Sequence, residues 1–275
     1  MTRLGDDNEL KELRRDISDL LAAVRKGVDH LAEIRNTQYR AVQEVISIRL
    51  ASEYERLGSD KALEFDYEGA PIRMFLPTGP SDLIQHAILR NRSFYSAAML
   101  EMVRRIMPMA GERVLDVGAN LGNHTVFFSK VCGAREVEAF EPVHQSFLAL
   151  ERNVRLNGVQ AILHNFGLSA HSGRAEAKIH PLNLGGSRLL ARPDGRIEIF
   201  SLDNLDVAPF RAMKIDVEGW AADVLEGARR SISANRPSIV VEALPEEVER
   251  VHTILASLNY RQVERLGDDY VYLPE

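Results

Sequence analysis

Residues 114–125 read VLDVGANLGNHT. An apolar run ends at Asp116, glycines follow at 118 and 122, and a helix-type stretch begins near Asn123. Glycine relaxes a tight strand-to-helix turn, and a helix start leaves backbone N–H groups without partners in its own chain. The stretch therefore reads as the first strand–turn–helix of an α/β domain. In open α/β sheets ligands bind beyond the carboxyl ends of the strands, so this turn also says where to look for a site.

Downstream, the strand-type runs RVLDV, EVEAF, AILHNF, MKIDV and PSIVVEAL are separated by helix-type or turn-type segments. The helical candidates among these are NHTVFFSKV, HQSFLALERNVRLN and WAADVLEGARRSIS. This pattern predicts βαβ units in a mostly parallel, doubly wound sheet with helices on both faces. The closing YRQVERLGDDYVYLP predicts an antiparallel edge hairpin turned at Gly267-Asp268. An insert over about 171–200, containing HPLNLGGSRLL, breaks the alternation and predicts a loop or extra strands near the sheet's mouth. Upstream, ALEFDYEGAPIRMFLP predicts a hairpin with Glu68-Gly69 at the turn. One helical stretch is then predicted over 81–107, capped at Ser81-Asp82 and stopped near Pro108.

The first sixty residues have a different character. A three-four spacing picks out Leu10, Leu13, Ile17, Leu20, Val24, Gly27, Leu31, Ile34, Gln38, Ala41, Val45 and Ile48, and ten of these twelve are apolar. That heptad predicts a long helix, ~58 Å if unbroken, of the coiled-coil kind. With Leu10 at position a, Glu9 and Glu44 fall at g and Arg14 and Arg49 at the following e, so a parallel partner can be paired at both ends. Gln38 would help set register, while Leu21, Val28 and Val42 widen the stripe and Gly27 weakens the helix. Two readings stay open, self-association or packing on the chain's own domain. The segments are thus a helical oligomerisation segment at 1–58, a hairpin and helix at 59–110, and the α/β domain at 111–275.

Composition narrows the class. A net charge of −6, with both signs interspersed, argues against a nucleic-acid binder. A single cysteine, Cys132, excludes an internal disulfide framework and suits a reducing compartment. The N-terminus lacks a signal-type apolar core and no stretch has the length of a membrane span, so a cytoplasmic protein is expected.

The strand ends carry the chemistry. After Asp116 the chain lacks the Gly-x-Gly-x-x-Gly of a dinucleotide fold. An acid beside the turn repels a pyrophosphate and attracts a cofactor with an ammonium and a sulfonium, such as S-adenosylmethionine. On this reading Gly118, Ala119, Asn120, Gly122 and Asn123 form the cofactor turn; the alternative is a tight turn with no ligand. Glu141 closes the second strand 19 residues after Gly122, where an acid grips ribose hydroxyls, and Pro142 ends that strand. The third strand's end puts Asn165, Phe166 and Gly167 beside the adenine.

In MKIDVEGW, residues 213–220, alternation places Lys214, Asp216 and Glu218 in one polar row and Ile215 and Val217 on the other face. Asp216 is the first choice to orient or deprotonate a hydroxyl, with Lys214 keeping the neighbouring acids ionised. Glu218 serves catalysis or a helix start. His124 is a base or a helix-start residue beside the cofactor. His180, Asn183, Ser187 and Arg188 of the insert line the acceptor pocket, and Trp220 packs its helix or offers a stacking face. No metal ligands are assigned, for want of a recognisable ligand spacing.

DVGANLGNHT, EAFEP, NVRLNGV, GLSA, GGSRL and KIDVEGWAADVLEGA, in that order over about 80–245, resemble the FkbM family of S-adenosylmethionine-dependent methyltransferases. The resemblance implies a Rossmann-like methyltransferase fold and O-methylation of a hydroxyl on a sugar, glycan or polyketide-type metabolite. It implies a cofactor loop at Asp116, Gly118, Asn120 and Gly122, a ribose acid at Glu141, and a methyl-transfer end at Asp216 and Glu218. The heptad segment departs from the minimal family domain. Two other readings compete: an NAD-dependent sugar-modifying enzyme, and a coiled-coil assembly protein with a non-catalytic methyltransferase-like domain.

Overall fold

The computed structural model describes residues 6–180 and 183–275, so Pro181 and Leu182 of the insert lie outside the described residues. The side chains of Glu9, Leu10, Leu13 and Arg14, which open the heptad, also lie outside them. The heptad region is one continuous helix, α1 (Asp6–Arg56), unbroken at Gly27. Its stripe is exposed: Leu20 keeps 66% and Leu31 67% of its surface, and Ile17, Val24, Val45 and Ile48 are exposed with them. The chain divides into two compact units after Glu53.

The second unit opens with the expected hairpin, β1 (Ala62–Tyr67) against β2 (Ala70–Phe75). Its turn residues Glu68 and Gly69 both have positive φ, as a two-residue hairpin turn of type I′ requires. The expected single helix over 81–107 is instead two, α2 (Leu83–Asn91) and α3 (Ala97–Ile106). Asp82 caps the first by accepting from the Gln85 N–H at 3.0 Å. The break has a packing cause. Phe94 leaves the helical path to pack edge-to-face on Phe65, Tyr67 and Phe127, and Arg92 and Ser96 take left-handed conformations on either side of it.

The α/β order then begins: β3 (Arg113–Val117), α4 (Asn123–Lys130), β4 (Glu136–Phe140), α5 (His144–Asn157) and β5 (Ala161–His164). The insert forms three extra strands, β7 (Gly173–Lys178), β8 (Arg188–Ala191) and β9 (Ile197–Phe200), which join the short β6 (Gly167–Leu168) before it in a small sheet ordered β6-β9-β7-β8. The main sheet resumes with β10 (Ala212–Ile215). The helical run after it is split into α6 (Ala221–Glu226) and α7 (Arg229–Asn235). At the split a Cβ on Gly227 would stand 2.0 Å from the Ser169 carbonyl oxygen, so the chain turns there on backbone contact. β11 (Ser238–Glu242), α8 (Val248–Ser257), which the sequence reading passed over, and the hairpin β12 (Tyr260–Leu266)–β13 (Asp269–Pro274) complete the unit.

The seven-stranded sheet runs β12-β13-β11-β10-β3-β4-β5, and β13 alone opposes the rest. The chain enters at β3, steps outward to β4 and β5, then crosses back to β10. The β3–β10 seam is therefore the topological switch point, where a ligand cleft opens. Leu115, Phe140, Met213, Ile215, Ile239 and Val241 are fully buried in one cluster, which is why these central strands read as near-continuous apolar runs. Among the described residues, no helix is long and apolar enough to cross a membrane.

Candidate active site

The switch point sets two charged residues side by side. Parallel register pairs Lys214 of β10 with Asp116 of β3, and both are almost wholly buried. The Lys214 ammonium lies 3.2 Å from Asp116 Oδ1 and 3.4 Å from Asp216 Oδ2, and donates to the Gly118 carbonyl at 2.7 Å. Thr125 Oγ1 donates to Asp116 Oδ2 at 2.6 Å, tying α4 to the strand it follows. Burial works to lower the Lys214 pKa, but Asp116 and Asp216 outweigh it and hold the group charged. Lys214 and Asp116 thus lie beneath the turn that follows β3, outside the cavity lining. This corrects the reading of Asp116 as the acid that meets a cationic ligand, because its charge is already matched by Lys214.

The turn above them is shaped by close approach. Gly118 has φ +78, and a Cβ there would fall 1.7 Å from the Asp216 carbonyl oxygen. The N–H groups of Gly118 and Ala119 both reach the Phe140 carbonyl at 3.0 Å, locking the turn to β4. Asn120 has φ +49, and its N–H donates to Glu141 Oε2 at 2.7 Å, while Val143 N–H donates to Oε1 at 2.7 Å. Glu141 is buried at the cavity wall, and burial pushes its carboxyl up to about 7 although these two hydrogen bonds pull the other way. Both oxygens are fixed, yet each keeps lone-pair capacity for a hydroxyl donor.

In the same cavity the carboxylates gather. Asp216 follows β10, Glu242 ends β11, and Glu218 sits in a left-handed turn at φ +51 before Gly219. The polar row of the sequence reading is therefore partly corrected. Lys214 and Asp216 do share a side, but Glu218 is carried to the cluster by the turn, and Val217 lines the cavity instead of turning away. Burial works to raise the Asp216 pKa, but the Lys214 ammonium and a hydrogen bond with Glu242 hold it below the ordinary carboxylate range. The charge of Asp216, then burial, pushes Glu242 up to about 9. The two opposite shifts favour the ionised form at Asp216 and the protonated form at Glu242. Burial and Asp216 together push Asp269 up to about 6, which adds a further acid near them.

His124 is 7% exposed, lines the cavity from α4, and stacks on Phe128 with ring centroids 6.2 Å apart. Burial, then Lys214, lowers its pKa to about 4, so the ring is neutral near pH 7. Asn123 also lines the cavity and clamps Tyr95, accepting its N–H at 2.9 Å and donating to its carbonyl at 3.1 Å. Tyr95 thereby reaches the cavity, with Asp216, Glu218 and Glu242 close enough to raise its pKa further after burial has done so.

Other sequence candidates separate. Pro142, Gly167, Asn183, Ser187 and Trp220 line the cavity with Gly118, Ala119, Asn120 and Asn123. Asn165 and Phe166 do not: the Asn165 amide donates to the Glu141 carbonyl at 2.8 Å and Phe166 packs among Phe140, His164 and Phe200. Gly122 starts α4 below the surface of the site, with Leu150 Cδ1 2.8 Å from where its Cβ would be. Arg188 faces Glu246 at 4.0 Å and the His180 N–H donates to Ser187 Oγ at 3.1 Å; neither residue lines the cavity. Glu242 and Tyr95 were missed. The strand-end rule would have found Glu242 at the close of PSIVVE, whereas nothing local marks Tyr95, which arrives through the α2–α3 break.

Residues 194–262 match the model of a family described as the Methyltransferase FkbM domain. Among curated proteins none matches the chain. Among solved structures, the methyltransferase FkbM of Methylobacillus flagellatus KT is similar at 18% identity and TM-score 0.49, covering 69% of this chain and 52% of that one. The chain thus spans about half the length of that relative. The T. thermophilus 16S rRNA N2 G1207 methyltransferase, solved with AdoMet and guanosine, is similar at 14% identity and TM-score 0.43, covering 78% of this chain and 50% of that one. The M. jannaschii TYW2 complex with AdoMet is similar at 11% identity and TM-score 0.38, covering 78% and 85%.

Proposed function

From the FkbM methyltransferase match over residues 194–262, we propose that this chain is an S-adenosylmethionine-dependent methyltransferase acting on a hydroxyl of a sugar, glycan or related metabolite. One observation carries the reading: a glycine cradle, a fixed ribose-type acid and an ionised carboxylate line a single cavity at the switch point. Glu141 accepts the ribose hydroxyls, and the Gly118–Asn120 backbone lets the cofactor lie close against β3. The Gly118–Asn120 turn and Glu141 would hold S-adenosylmethionine, which would supply an electrophilic methyl group to the acceptor oxygen and leave as S-adenosylhomocysteine. Asp216 then orients the acceptor hydroxyl and takes up its proton, a positioning and general-base task. The acids Asp216, Glu218, Glu242 and Asp269 at the acceptor end disfavour a phosphate-rich polymer and suit an uncharged polyol.

Calorimetric titration tests this directly. S-adenosylmethionine is expected to bind once per chain and NAD not to bind, and Glu141→Ala is expected to weaken the cofactor at least about tenfold, or ~1.4 kcal/mol. NAD binding without S-adenosylmethionine binding would replace this reading with that of a dehydrogenase.

The long helix is proposed to pair with a second copy. What supports this is the exposed apolar stripe and the g-to-e′ charge pattern, of which Glu44 and Arg49 are described. Within one chain Arg49 reaches Glu53 at 3.1 Å, a contact that an intermolecular pair with Glu44 would replace. Leu20→Glu with Leu31→Glu is expected to reduce the sedimenting species to one chain; an unchanged mass would remove the helix as the contact.

A further inference from the structure

The carboxylates at the acceptor end outnumber what an orienting base requires. Asp216, Glu218 and Glu242 each bring an oxygen to within 4.8 Å of the others. They come from three places, the end of β10, a left-handed turn and the end of β11, so no single local motif assembles them. Lys214 offsets the charge of Asp216 alone among the three, and a cation bound to them would take the place of the proton held between Asp216 and Glu242. A single cation with oxygens at about 2.0–2.6 Å keeps its ligand atoms within about 4–5 Å of one another, a limit these three groups meet.

A second observation comes from α4. His124 is more than nine-tenths buried, lines the same cavity, and has an Nε2 with no hydrogen-bond partner. A buried ring nitrogen without a partner is rare unless something polar completes it. Neither Phe128, on which the ring stacks, nor the apolar wall beside it can do so. Water in the shell of a bound cation would.

We propose that Asp216, Glu218 and Glu242 hold one hard divalent cation of the Mg²⁺ or Mn²⁺ class, with His124 Nε2 facing its water shell. The donor set favours this class: all three are carboxylate oxygens, with no thiolate and no imidazole among them. Because the three line the cavity, the cation's remaining positions open toward the acceptor and take oxygens from it. With the cation in place Asp216 would orient the acceptor through the metal, and its role as free proton acceptor belongs to the metal-free site. An acceptor with two neighbouring oxygens, a vicinal diol or a hydroxyl beside a carbonyl, suits such a cation best. The inference rests on the methyltransferase reading for the acceptor alone; the cation site stands on the geometry.

The test titrates MnCl₂ into the full chain and follows free Mn²⁺ by electron paramagnetic resonance, with S-adenosylmethionine titrated into the same preparations. One saturable Mn²⁺ site per chain is expected, displaced by Mg²⁺ and weakened at least tenfold in Glu242→Gln and in Glu218→Gln. Glu218 is partly exposed and outside the core clusters, so its variant keeps the fold. Absence of saturable Mn²⁺ binding, or unchanged affinity in both variants, overturns the site. Mn²⁺ binding without S-adenosylmethionine binding keeps the site and sinks the methyltransferase reading; the reverse sinks only the site.

Discussion

Asp216→Asn is expected to lower the methyl-transfer rate by about 10²–10⁴-fold, the range a positioned proton acceptor contributes, while cofactor affinity changes less than about threefold. The asymmetry follows from where the residue sits. Asp216 lines the cavity with Glu218 and Glu242, whereas the proposed cofactor contacts are Glu141 and the Gly118–Asn120 backbone. Asparagine keeps the shape and the backbone N–H that donates to the Val117 carbonyl at 3.0 Å. What it removes is the charge. Lys214 keeps Asp116 as a buried partner, so the ammonium is not stranded, and the loss falls on the reaction more than on the fold. Single-turnover rates with saturating cofactor, beside calorimetric affinities, check both halves. A variant at full rate would reduce Asp216 to a counter-ion for Lys214.

Gly118→Ala is expected to abolish cofactor binding and to cost on the order of 3 kcal/mol or more, a drop in Tm of about 6–12 °C for a unit of this size. A methyl group 1.7 Å from a carbonyl oxygen cannot be accommodated by a rotamer change, since the obstacle is the Asp216 backbone. Neither strand can retreat. Gly118 N–H is held to Phe140 at 3.0 Å and Asp216 N–H to Val117 at 3.0 Å, across the seam of a sheet buried on both faces. Positive φ at residue 118 adds strain for any side chain. Gly69→Ala provides the contrast, because its φ is also positive but nothing lies within 4 Å of the added carbon. It is expected to cost only about 1 kcal/mol. Equal Tm losses in the two variants would mean that the close approach at residue 118 does not govern the site.

Local pattern was legible wherever the deciding forces are local. The heptad of α1 is a periodicity of one segment, and the glycine turn, the acid after β4 at 141 and both hairpin turns follow from φ requirements and strand ends. The failures are contacts between distant segments. Asp116 looked like a ligand acid until register brought Lys214 beside it, and Asn165 and Phe166 looked like adenine neighbours until β4 and the insert claimed them. One helix became two over 81–107 because Phe94 had a better place among aromatic rings than in a helical turn.

By itself, then, the sequence determined the doubly wound order and the location of the cleft beside Gly118, Glu141 and Asp216. Those depend on spacing and on backbone preferences within short segments. Only the tertiary structure decided how the charges are shared. It buried Asp116 with Lys214 and gathered Asp216, Glu218 and Glu242 from three separate chain positions. It also set His124 in the same cavity with an unanswered nitrogen. Coulomb energy depends on distance in space, and distance in space between β3, β10 and β11 is written in no one stretch of the chain.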